Sequence, residues 1–146
     1  MDTDKKGAVL ICEDDRLNQR IISHILGEDY TLHICDDGES ALEQAARLLP
    51  DLILLDIVLP GIDGFQVLAA LKESDATADI PVVFMSGLDG GEDIEKGFAL
   101  RADDFMAKPV NEHILRHRVS REFQFINQRK LIERLKGVIT EMKGKA

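Results

Sequence analysis

Leu52 to Gly64 reads L-I-L-L-D-I-V-L-P-G-I-D-G, and the place of Asp56 within it decides the fold. Four large apolar residues in a row, bounded by Pro50-Asp51 before and Pro60-Gly61 after, have the length of a strand buried on both faces and not of a helix. Asp56 therefore closes that strand at its carboxyl end. Pro60 and Gly61 break the chain straight afterwards, and Ile62-Asp63-Gly64-Phe65 opens the next element, so the carboxylate stands at the mouth of a strand-to-helix loop. That edge of an open parallel sheet is where ligands bind.

Three further apolar runs end in the same way: Ala8-Val9-Leu10-Ile11-Cys12 into Glu13-Asp14-Asp15, Pro81-Val82-Val83-Phe84-Met85 into Ser86-Gly87, and Asp104-Phe105-Met106-Ala107 into Lys108-Pro109. As parallel strands they bring Glu13, Asp14, Asp56, Ser86 and Lys108 to one edge. Carboxylates crowded together repel, and one stays protonated unless a cation joins them. A hard divalent ion with oxygen ligands suits such a group, and Mg2+ is the usual choice where phosphate is handled. With a hydroxyl and an ammonium alongside, the set reads as a carboxylate nucleophile that accepts phosphate with metal help.

V-L-I-C-E-D-D, L-L-D-I-V-L-P-G-I-D-G, F-M-S-G and A-D-D-F-M-A-K-P follow one another along the chain, and on these motifs residues 7–122 resemble the receiver domain of two-component response regulators, similar to the chemotaxis regulator. The resemblance implies an α/β fold: a doubly wound, flavodoxin-like sheet of five parallel strands in the order 2-1-3-4-5, with helices on both faces. The chemotaxis receiver is itself a standing example of that order. It implies Asp56 as phosphoacceptor, Glu13 and Asp14 as the acidic pair that joins Asp56 around Mg2+, and the backbone carbonyl of Val58 completing the metal shell. Ser86 is expected to hydrogen-bond the phosphoryl oxygens, Lys108 to pair with them, and the Lys108-Pro109 bond to be cis. Phe105 resembles the aromatic switch whose ring turns inward when Ser86 moves toward the phosphoryl group.

Several residues depart from the family pattern. Glu13 stands where many receivers carry Asp, and its extra methylene leaves room for a water between carboxylate and metal. Phe105 replaces the frequent Tyr and cannot donate a phenolic hydrogen bond. Arg101 occupies the usual glycine of G-A-D-D, at a cost on the order of 1 kcal/mol if the backbone there has positive φ. Val58 and Leu88 would flank the phosphoryl group, and neither can position water for attack, so the phosphorylated state is expected to be long-lived.

The implied function is to take a phosphoryl group from a histidine kinase or phosphotransfer protein and to pass the signal on as a conformational change. A degenerate receiver serving as a constitutive interaction module is the alternative, and the complete set Glu13, Asp14, Asp56, Ser86 and Lys108 counts against it. An Asp-nucleophile phosphohydrolase usually keeps a second Asp two residues past the nucleophile, where this chain has Val58.

At 146 residues and 45% apolar composition the chain has enough length for one full core plus an appendage. No run approaches the ~20 apolar residues that span a bilayer, and no signal-peptide core follows the first residues, so a soluble cytoplasmic protein is expected. Cys12 and Cys35 fall near the ends of neighbouring strands in the resembled fold and read as reduced core thiols. The net charge of -9 is split: residues 1–110 hold 9 Lys+Arg against 23 Asp+Glu, and residues 111–146 hold 9 against 4. The acidic body is a poor nucleic-acid surface, and the basic charges of the tail are spread around a helix with apolar residues between them, which disfavours DNA binding.

In order, the pattern predicts a strand at 8–12, a helix at 17–26 ended by Gly27, a strand at 30–35, a helix at 39–49 stopped by Pro50, the strand at 52–55 and a helix through Phe65, Val67, Leu68 and Leu71. A fourth strand follows Pro81, then a short helix at 92–100 and a fifth strand at 103–107. Alternation of this kind implies right-handed crossovers and a parallel sheet between helices. Among the other polar residues, Asp36 and Asp37 read as helix-start acids. His113 and His117 share a helix face without a third ligand and read as solvated.

From Glu112 to about Met142 there is no proline and one glycine, Gly137. A helix of that length extends on the order of 45 Å, about twice what a receiver's last helix needs. Beyond residue 122, Phe123 and Ile126, then Leu131, Leu135, Val138 and Met142, suggest an apolar seam. Residues 123–146 are thus expected to form a coiled-coil homodimer helix or a connector to an output domain. Gly137 and the five-residue step from Ile126 to Leu131 interrupt the heptad.

Overall fold

The computed structural model describes residues 4–87 and 91–144. Five parallel strands, β1 (Ala8–Cys12), β2 (Thr31–Cys35), β3 (Leu52–Asp56), β4 (Val82–Ser86) and β5 (Asp104–Ala107), form one sheet in the order β2-β1-β3-β4-β5. Between and after them run α1 (Arg16–Leu26), α2 (Gly38–Leu48), α3 (Gly64–Glu73), α4 (Gly91–Ala99) and α5 (Glu112–Gly144). The doubly wound α/β fold expected from the alternation is therefore present. No described helix is long and apolar enough to cross a membrane.

The unbroken apolar runs are explained by two cores, one on each face of the sheet. Because side chains alternate along a strand, Leu52 and Leu54 of β3 pack toward α1 and α5 with Val9, Ile11, Val83 and Met85. Ile53 and Leu55 point the other way, against α2 and α3 with Leu10, Phe84, Val67 and Leu68. β3 and β4 are buried at every position, whereas the edge strand β2 is largely half-buried. Cys12 and Cys35 lie opposite each other in register as free buried thiols, with their sulfurs 3.3 Å apart.

Aspartates start three of the helices. Asp15, Asp37 and Asp63 accept hydrogen bonds from the backbone N–H of Leu17, Ser40 and Gln66, which satisfies amides that the first turn leaves unpaired. Gln66 returns the bond to the Asp63 N–H and completes a capping box. The end of α4 is a Schellman turn: Ala102 N–H reaches the Gly97 carbonyl at 2.9 Å, and Arg101 N–H reaches the Phe98 carbonyl at 2.9 Å. Arg101 takes the left-handed position with φ 71°, where glycine is the ordinary occupant.

Helix α5 is continuous from body to tip. Leu115, Val119, Phe123 and Ile126 are buried in the body, and Phe123 stacks on Tyr30 with ring centroids 4.8 Å apart. Its ring also closes over Gly7, where a Cβ would fall 2.4 Å from a ring carbon. Phe123 and Ile126 therefore belong to the body's core, not to the apolar seam in which the sequence pattern counted them. The last anchors are hydrogen bonds from Arg129 to the Asp79 carbonyl and from Lys130 to Asp51. From Asn127 to Gly144 every residue is exposed.

Arg101→Gly is expected to raise stability by about 1 kcal/mol, read as a higher urea midpoint at unchanged slope. An unchanged midpoint would show that the turn costs arginine nothing.

Candidate functional site

The site is built where four strands end. Asp56 is the last residue of β3 and pairs in register with Met85, one residue before Ser86 closes β4. Ser86 pairs with Ala107, and its carbonyl accepts the Lys108 N–H at 2.9 Å, so β5 delivers the lysine beside it. Glu13 follows β1 directly, its N–H bonded to the Cys35 carbonyl at 3.0 Å. The Lys108–Pro109 bond is cis, as expected.

Glu13 and Asp56 are buried while Asp14 is exposed, and one carboxylate oxygen of each lies within 4.8 Å of the others. The Lys108 ammonium sits between the two buried acids, 2.6 Å from Glu13 Oε1 and 2.6 Å from Asp56 Oδ2. Burial first, and then the Asp56 carboxyl, raise the Glu13 carboxyl above its ordinary value against the opposing pull of Lys108. Burial draws the Lys108 ammonium down, but its bonds to Asp56 and Glu13 outweigh that and raise it. The signs differ in consequence. Glu13 holds its proton more tightly when folded, so it subtracts stability as pH rises above the ordinary carboxylate range. Lys108 contributes stability in full below the ordinary lysine range, and loses it only as pH rises through its raised value.

All the oxygen donors here are hard, with no thiol or imidazole among them, and a compact divalent cation such as Mg2+ fits that set. The exposed Asp14 leaves the cluster open on one side. Val58 donates its N–H to Asp56 Oδ1 at 3.1 Å, which fixes the carboxylate's rotation, and its own side chain points into solvent at 62% exposure. Leu88 lies outside the described residues.

Phe105 is half-buried and stands in a row of rings: Phe84 lies 5.2 Å and Phe98 5.4 Å from its centroid. It shares a cavity of about 260 Å³ with Ser86, Asp93, Ile94 and Arg118. His113 and His117 are exposed.

The structure adds three features to those read from sequence. Gln19 Nε2 donates to the Glu13 carbonyl at 2.6 Å and ties α1 to the acidic loop. Gly64 starts α3 so close under Asp56 that a Cβ would fall 2.4 Å from the Asp56 carbonyl oxygen. Asp104 is buried and holds Arg118 and Arg121 of α5. Only Gly64 left a trace in the sequence, through the I-D-G-F turn.

Residues 9–120 match the family model of the response regulator receiver domain, and the chain belongs to that family. Response regulator PleD of Caulobacter vibrioides is 38% identical over 138 residues, which is 90% of this chain and 30% of that protein. A probable cyclic di-GMP phosphodiesterase of Vibrio cholerae is 37% identical over 116 residues, 80% of this chain and 26% of its own length. The chain thus spans under a third of these relatives. Among solved structures, the receiver domain of a sensor histidine kinase from Pseudomonas aeruginosa, with a magnesium ion coordinated in its active-site cleft, matches with TM-score 0.75 and 25% identity, covering 81% of this chain and 98% of that one. A chemotaxis response regulator of Vibrio cholerae matches with TM-score 0.75 and 25% identity, covering 80% and 98%. The chain is a receiver domain of two-component signalling, a signalling module.

Lys108→Met should lose about 3 kcal/mol of stability in EDTA, because two buried carboxylates are left facing each other, and should regain most of it in millimolar Mg2+. In the wild type, the Mg2+-induced rise in Tm should be larger at about pH 8 than at about pH 5, since the raised Glu13 must ionise to hold the ion. Equal rises at both would remove Glu13 from the ligand set.

Proposed function

We propose that the chain accepts a phosphoryl group on Asp56 from the phosphohistidine of a histidine kinase or phosphotransfer protein, with Mg2+ as cofactor, in the cytoplasm. The observation that carries this reading is the Lys108 ammonium held at 2.6 Å by both Glu13 and Asp56 beside the exposed Asp14. An Asp56 oxygen attacks phosphorus; the new P–O bond forms as the P–N bond breaks, and the imidazole leaves with the bonding pair and is protonated. Glu13, Asp14, Asp56 and the Val58 carbonyl would hold the metal, which when bound supplies positive charge against the phosphoryl oxygens.

The chain's own groups do the rest. Val58 N–H orients the attacking carboxylate. Lys108 already touches Asp56 and is placed to pair with the added dianion, and Ser86 is one strand position away to donate its hydroxyl. The drawing-in of Ser86 frees space in the cavity it shares with Phe105, and the inward turn of that ring changes the face made by α4, β5 and α5. Catalysis extends only to the chain's own phosphorylation and dephosphorylation. The effector is reached through α5, as a homodimer on that helix or an output domain joined to it; the much greater length of the relatives supports the second element. Residues 7–122 are then the receiver and 123–146 its helical extension, with the extension's first turn anchored on the body.

With acetyl phosphate and Mg2+, mass spectrometry should find one phosphoryl group on Asp56, none on Asp56→Asn, and none in EDTA. A modified Asp56→Asn chain would refute the assignment, and a wild type that takes up no phosphoryl group would favour the constitutive interaction module. Because nothing polar at Val58 steers water, Val58→Asn should speed loss of the acyl phosphate on the order of tenfold; an unchanged rate would mean that residue 58 does not control hydrolysis.

A further inference from the structure

We infer that α5 pairs with the α5 of a second copy as a parallel two-stranded coiled coil, with Phe125, Ile132 and Ile139 at heptad a and Gln128, Leu135 and Met142 at d. This rests on the homodimer reading above and specifies its geometry. One face of α5 is already committed: Val119, Phe123 and Ile126 are buried in the body, and Lys130 bonds Asp51. At about 100° per residue, the stripe from Phe125 to Met142 lies about 180° round the helix from that face. Its apolar members are each about half exposed or more, although Phe125 and Ile132 also border an open cleft with Pro81 and Asp103 of the body.

This register removes both interruptions visible in the sequence. Ile126 lies on the body-facing side, so the five-residue step from it to Leu131 is not a step within the seam. Gly137 falls at position f, on the outer surface, with nothing within 4 Å of a Cβ placed there. It lowers helix propensity without opening a gap between helices.

The side chains also select the partner and its direction. β-branched residues at a with Leu at d favour two strands, and the seam has Ile132 and Ile139 at a with Leu135 between them. The e positions carry Arg129, Lys136 and Lys143, and the g positions Gln124, Leu131 and Val138. In a parallel homodimer each e faces g of the partner, so the stems of Lys136 and Lys143 lie over Leu131 and Val138, while Arg129 stays on the Asp79 carbonyl of its own chain. An antiparallel pair would set e against e and bring like charges together. One heptad earlier, a and d are Arg118 and Arg121, and both are bound by Asp104 of their own chain, which quenches the repulsion of four guanidinium groups near the axis. The seam covers fewer than three heptads, so the dimer is concentration-dependent and sensitive to how the bodies meet.

The test is sedimentation equilibrium of the full chain over a range of concentrations, with and without beryllofluoride and Mg2+. The wild type should dimerise, Ile132→Asp and Leu135→Asp should each raise the dissociation constant about a hundredfold, and Gly137→Ala should not weaken it. Both aspartates are introduced at solvent-exposed positions, so an unchanged Tm of the dilute monomer confirms the fold. Under mild oxidation Met142→Cys should cross-link to itself across the dimer. A cross-link found only in a mixture of Gln128→Cys and Met142→Cys chains would overturn the parallel register. A dimer indifferent to Ile132→Asp and Leu135→Asp would overturn the seam but leave homodimerisation standing. A wild type monomeric under every condition would end both, without touching phosphorylation of Asp56.

Discussion

Two buried carboxylates, Glu13 and Asp56, are held within reach of each other by a single ammonium. Burial, and then the neighbouring Asp56 carboxyl, favour the proton on Glu13, and Lys108 opposes them. The sheet makes the arrangement possible by ending three strands at one level: β1 brings Glu13, β3 brings Asp56 and β5 brings Lys108. Cores on both faces fix the strands, so the charged atoms cannot relax apart. The result is a site with negative charge in excess, three carboxylates around one ammonium, and a divalent cation offsets that excess.

From this centre the structure runs outward through contacts that are mechanically continuous. Phe105 packs between Phe84 and Phe98, and α4 approaches it so closely that Gly97 has no room for a Cβ: the nearest Phe105 ring carbons would lie 2.5 Å away. Asp104, the neighbour of Phe105 in β5, grips Arg118 and Arg121 of α5. A displacement of the ring thus acts at one residue's distance on the ion cluster that seats the long helix. Glu122, on the same turn and also buried, is raised above its ordinary value by burial first and then by Asp103 and Asp104. Negative charge accumulates at this end of β5, and the two arginines offset it.

Most of the fold was legible because its signals are local. Four apolar runs ending in Glu13, Asp56, Ser86 and Lys108 mark strand ends, and proline and glycine mark the breaks, so the alternation of strands and helices could be read directly. The gathering of Glu13, Asp14, Asp56 and Lys108 followed from the same rule, since parallel strands carry their last residues to one edge. The positive φ of Arg101 was foreshadowed only by the resemblance, which puts glycine at that place. What could not be read depends on distant partners. Gln19 and Asp104 are ordinary polar residues until the fold sets a carbonyl or an arginine beside them. Phe123 and Ile126 keep helical spacing with the residues that follow, and periodicity alone does not tell a face that meets Tyr30 and the sheet from one that meets solvent. The same ambiguity hid Phe125, Ile132 and Ile139, which became a stripe only once the body-facing side of α5 was known.

The unbroken course of α5 gives the domain a lever. Its fulcrum is the stretch from Leu115 to Ile126 clamped in the core, with Arg129 and Lys130 as the last anchors, and the free arm from Lys130 to Gly144 is about 21 Å long at 1.5 Å per residue. A reorientation of about 10° at the clamp sweeps the far end through about 4 Å over that length, about two thirds of the height of one helical turn. Motions too small to disturb packing near Asp104 are therefore amplified, at the tip, into shifts large enough to change which side chains meet.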